Sequence, residues 1–137
     1  MTTTEAKRVL ERHARLQPLE HDDVRGSFLA MLRPFRGVLI EAYYHEVMAA
    51  LRALADELRQ DRLDRAPVAA LWTICHLARS WALEPEGALQ RDGRITPEQS
   101  EQLADWIDTI SYATMNLLEG QDNELAFEFY NHEGSTE

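Results

Sequence analysis

The sequence predicts an all-α protein, and three observations carry that reading. Apolar residues recur at spacings of three and four along nearly the whole chain, and period-two alternation is almost absent. Proline, glycine and capping residues fall between the periodic stretches. The helical stretches, 5–16, 22–32, 35–60, 67–83 and 97–119, take up most of the 137 residues. The expected architecture is an antiparallel helical bundle of four main helices plus a short helix and a C-terminal tail, in one domain spanning 1–137.

Each element has a local cause. Thr2, Thr3 and Thr4 offer N-caps to the first helix, whose apolar face holds Ala6, Val9, Leu10 and Ala14. Pro18 ends it. Asp22 or Asp23 caps a second, shorter helix carrying Val24, Phe28, Leu29 and Leu32, and Arg33-Pro34 breaks it because the residue before proline avoids the α region. A long helix over 35–60 follows, with two adjoining apolar stripes, one through Phe35, Leu39, Tyr43, Val47 and Leu51, the other through Ile40, Tyr44, Met48 and Ala55. So wide a face predicts contact with several helices or with a second copy of the chain, and a homodimer is expected.

Residues 61–65 form a charged connector. Pro67 suits the first turn of the next helix, which is apolar over most of its circumference and is expected at the centre. Glu84-Pro85 terminates it, and 85–94 reads as a loop with one helical turn near Ala88 and Leu89. Thr96-Pro97-Glu98-Gln99 is the clearest start signal, a capping box with proline in the first turn. Gly120 is a natural stop. The segment from Glu124 to Tyr130 is a short helix or an extended arm, and 131–137 is expected to be disordered. Trp72, Leu77 and Trp106 are expected in the core.

Composition narrows the function classes. The net charge of −10 disfavours nucleic acid, whose affinity comes from basic groups displacing counterions, and it disfavours anionic membrane surfaces. It suits a basic protein partner, metal cations, or simply solubility. Of the 14 basic residues only Lys7 is lysine, a bias that suggests a bacterial genome rich in G and C. Cys75 is the single cysteine, so no intrachain disulfide forms, in keeping with a reducing cytoplasmic location. The start of the chain has no apolar run of the secretory kind, and 66–83 contains His76 and Arg79, which mark a buried helix and not a membrane span.

Three groups of residues are candidates for chemistry. Glu98, Glu101, Asp105 and Asp108 are spaced 3, 4 and 3 apart and share one helix face. They read as a partner-binding surface, as carboxylates for a divalent cation in an all-α nucleotide hydrolase, or as a solvated outer face. Thr73, His76 and Ser80 form a polar stripe with Arg79 beside it, either a pocket for an anionic ligand or the helix's one wet edge. Glu41 and His45 stand one turn apart and form a further candidate ligand-binding pair.

The patterns of established metal and nucleophile sites are missing. The chain has no His-Glu-x-x-His, no Glu-x-x-His and no cysteine–histidine zinc spacing. His21-Asp22 lacks the partner histidines of a phosphohydrolase dyad, and Asp92-Gly93 lacks the carboxylates of a calcium loop. There is no nucleophile elbow and no phosphate loop. No metal and no cofactor is expected. The preferred expectation is a small acidic intracellular interaction module, an adaptor, inhibitor or immunity-type partner of a basic protein. The alternatives are the metal-dependent hydrolase and a small-ligand sensor around His76 and Arg79.

Overall fold

The computed structural model describes residues 1–15 and 26–130. Pro18, the His21-Asp22 pair, the capping aspartates at 22 and 23 and the expected disorder of 131–137 lie outside those residues. The described residues form helices joined by turns and irregular segments, with no strand among them beyond an isolated bridge between Leu32 and Phe35.

Helix α1 (Thr3–His13) opens on a capping box: the Thr2 hydroxyl accepts from the Glu5 amide, and the Glu5 carboxylate accepts from the Thr2 amide. It buries Ala6, Leu10 and His13, one residue per turn along a single face. Helix α2 (Phe28–Leu32) is capped by Ser27, whose Oγ accepts from the Ala30 amide and donates to the Arg15 carbonyl at 2.6 Å. Arg33 is extended, as its place before Pro34 requires.

The helix expected over 35–60 is shorter than its periodicity implied. It becomes α3 (Glu41–Ala53) and a further turn, α4 (Ala55–Leu58). Gly37 explains the late start: at φ 90° it sits outside the helical region, and its carbonyl accepts from the Gln99 side-chain amide at 2.8 Å. Phe35 still reaches the core from this irregular stretch, which is why its spacing mimicked a helical stripe. The second interruption falls at Leu54, where ψ opens to 2°.

Helix α5 (Arg65–Ala78) is capped by Asp64 and carries Pro67 in its first turn. It passes into a π-helical turn over Arg79–Leu83, closed by the Glu84 amide donating to the Arg79 carbonyl at 2.9 Å. Gly87 packs so closely that a Cβ there would stand 2.4 Å from the Ser80 carbonyl oxygen. One turn, α6 (Ala88–Arg91), lies where the loop was expected to hold it. Helix α7 (Pro97–Leu118) begins with the Thr96–Gln99 capping box read from the sequence and stops before Gly120 at φ 84°. Helix α8 (Asn123–Ala126) leads into Phe127 and Tyr130, both buried.

Helix α1 packs on α3 and α5, α5 on α7, α3 on α7, and α8 on α7. The centre is filled by Leu10, Leu51, Leu54, Ile74, Ile107 and Ile110. Trp106 is buried as expected, stacked on Tyr44 at 5.2 Å and edge-on to Phe28 at 6.3 Å. Leu77 is only partly buried. Trp72 overturns the sequence expectation: it is 75 % exposed. A helix apolar on nearly every side gives periodicity no means of telling its inner face from its outer one. The surplus apolar surface that suggested a dimer through the third helix is largely absorbed within the chain, since Val47, Met48, Leu51 and Leu54 are fully buried. Among the described residues no helix is long and apolar enough to cross a membrane.

Candidate functional site

The outer surface of the α5–α7 pair holds a groove of about 530 Å³. Two side-chain pairs fix how the helices run. Arg79 Nη2 donates to Asp108 Oδ1 at 2.6 Å, and Ser111 Oγ donates to Cys75 Sγ at 3.3 Å. Stepping back four residues on α5 steps forward three on α7, so the helices are antiparallel. Val68, Leu71 and Trp72 form the wall from α5, and Met115 and Leu118 form the wall from α7. Met115 is 47 % exposed and Leu118 38 %, so the groove presents large apolar side chains to solvent beside Trp72.

Part of the polar stripe read from the sequence lies here: His76 and Ser80 line the groove with Arg79 beside them, while Thr73 does not, and Ser111 and Thr114 join them from α7. The structure adds two carboxylates. Glu84 lies past the π-turn at one end, and Glu119, the C-cap of α7, lies at the other. Arg79 faces the groove with its guanidinium already engaged by Asp108. Burial pushes the Cys75 thiol above its ordinary value, outweighing the Ser111 hydrogen bond and favouring the neutral form.

Glu41 and His45 do not line this groove. The His45 imidazole donates from Nε2 to Glu41 at 3.0 Å and accepts at Nδ1 from the Tyr130 hydroxyl at 2.7 Å, the tautomer following from the carboxylate partner. The pair clasps the segment after α8 onto α3, and it forms no common site with His76 and Arg79. Glu98, Glu101 and Asp105 are exposed along the outside of α7, and Asp108 is exposed but tied to Arg79. Among the described residues no group of three or more His, Cys, Asp or Glu is placed to hold a metal ion. The hydrolase reading gains no geometry from this face.

A polar cluster that the sequence reading missed joins α1, α2 and α3. His13 is fully buried, accepts from the Phe28 amide at Nδ1 at 2.9 Å, and meets Glu46 through Nε2 at 2.7 Å. Arg12 also bonds Glu46. The signal was present, because His13 falls on the Ala6–Leu10 face at the next turn. Its hydrogen bonds to a helix-start amide and a carboxylate give it a structural role.

No protein-family model, curated protein or solved structure matches this chain.

Proposed function

We propose that this chain is a helical protein-interaction module and that the α5–α7 groove is its docking surface. The observation that carries the proposal is Trp72, a large aromatic side chain 75 % exposed on the wall of an apolar groove. Half-exposed aromatic and aliphatic side chains bordering a concavity are the usual anchors of protein interfaces. The net charge of −10 and the exposed Glu98, Glu101 and Asp105 on the same helix favour a basic partner, attracted over distance and seated on apolar contacts. The proposal places the protein in the cytoplasm, in keeping with its single free cysteine.

A small-ligand reading has one observation in its favour: 530 Å³ lies within the size range of ligand pockets. The charges argue against the anionic ligand that His76 and Arg79 suggested. Arg79 is paired with Asp108, and Glu84 and Glu119 add two negative ends.

The test is site-specific photocrosslinking in producing cells, with the photoreactive residue at position 72 or, as control, at position 98. The expected result is a defined protein adduct from position 72 only. Its purified partner should bind the wild-type chain and lose binding to Leu118→Glu, which leaves the helical content unchanged. Crosslinking from position 98 alone, or a partner indifferent to Leu118→Glu, would move the docking surface off the groove.

A further inference from the structure

We infer that the groove's occupant is a single amphipathic helix of about three turns with basic residues at both ends, an inference that rests on the groove being the docking surface. Length is the first argument. From Val68 at one end of the groove to Arg79 at the start of the π-turn, the helical wall runs eleven residues, about 16 Å at 1.5 Å per residue or three helical turns, and Glu84 stands beyond it, within reach of a long basic side chain at the occupant's end. Shape is the second. A channel between two antiparallel helices accepts a third helix along its axis, whose anchors at i, i+3 or i+4, and i+7 meet the apolar floor. Trp72 and Met115 flank its middle, and Val68 and Leu118 lie toward the Glu119 end.

Charge is the third argument, and it sets the partner's chemistry. Because α5 and α7 run antiparallel, Glu84 and Glu119 fall at opposite ends of the channel, and both are exposed. Arg79, which lines the channel, donates to Asp108. Lysine or arginine at both ends of the incoming helix therefore finds a carboxylate, while an acidic helix meets repulsion at each end. The same pattern disfavours a second copy of this chain. Groove-to-groove docking would bring two sets of Glu84 and Glu119, on two chains of net charge −10, into one interface.

The test uses the intact chain and a displayed library of peptides about sixteen residues long, with helix-forming hosts and randomised stripe and end positions. Selection runs in parallel on wild type, Trp72→Glu and Leu118→Glu, each checked for unchanged helical content. Expected winners carry apolar residues at helical spacing and Lys or Arg at both ends, and they are enriched at least about tenfold on wild type over either variant. Changing both basic ends of a winner to Glu should weaken it by about tenfold or more. Winners lacking helical spacing, or with neutral or acidic ends, overturn this inference; if Trp72→Glu still abolishes their binding, the groove reading survives. A wild-type dimer that Trp72→Glu dissolves replaces the helix with a second copy. Equal binding to all three proteins, or no enrichment on any, overturns inference and docking surface together.

Discussion

The α1–α3 seam and the α5–α7 seam are both built from paired helices, and they end differently at the surface. Between α1 and α3, Leu10, Val47 and Leu51 are fully buried, and the polar groups at the edge bond one another through His13, Arg12 and Glu46. Between α5 and α7 the inner face is as well filled, by Ile74, Ile110, Ala113 and Leu117. The outer face is left open, with Trp72, Met115 and Leu118 beside a cavity. Apolar content alone does not separate the two. What separates them is whether a third element covers the outer side, and α5–α7 lacks one among the described residues.

Substitutions at the two seams should therefore differ most in stability. Leu51→Ala removes a fully buried side chain from the closed seam and should cost about 2–5 kcal/mol in a denaturant titration. A loss under 1 kcal/mol, well below about 2, would show that seam to be loosely packed. Gly87→Ala should cost about 1–3 kcal/mol, because the new Cβ meets the backbone oxygens of Ser80 and Trp81 and not a flexible side chain. It should also disturb the groove's Glu84 end, which the neighbouring π-turn shapes. Thr96→Ala should cost about 1 kcal/mol through the lost α7 cap, read from the same titration. Trp72→Ala should change stability by no more than about 0.5 kcal/mol, the range of exposed positions, although tryptophan is the largest side chain in the protein.

The clasp of Tyr130 on α3, away from the open groove, also has an alkaline signature. Burial first, then the nearby Tyr44 and Glu41, push the Tyr130 phenol up to about 12. An unfolded tyrosine ionises near about 10. With the folded value raised, the stability from this group is intact below the unfolded value and is lost as pH rises toward the folded one. Tyr130→Phe should flatten the decline in unfolding free energy between about pH 10 and 12, and an unchanged slope would place the loss elsewhere.

Much of this contrast was written locally. The Thr96–Gln99 box, the Glu84-Pro85 stop and the turn at Ala88 needed only nearby residues, and each is found where the sequence placed it. The start of α3 was not local: Gly37 adopts positive φ in a segment held by Gln99, 62 positions away in sequence. The groove was half legible. His76 and Arg79 stood out as polar residues on an apolar helix, and both line it. Trp72, Met115 and Leu118 did not, because an apolar side chain awaiting a partner has the same spacing as one packed in the core. Sequence periodicity finds apolar surface, and only the packing of the other helices shows which part stays uncovered.

The most direct measurement exploits the three tryptophans, which sit in three environments: Trp72 on the groove wall, Trp106 in the core, and Trp81 outside the groove with the Arg33 guanidinium over its ring. Each has an indole N–H resonance that substitution can assign. On titration with a basic amphipathic helix selected on the intact chain, the Trp72 resonance should shift or broaden while that of Trp106 stays in place. A Trp72 signal that does not move through a saturating titration, with shifts confined to residues near Glu98 and Glu101, would contradict the groove as the binding surface.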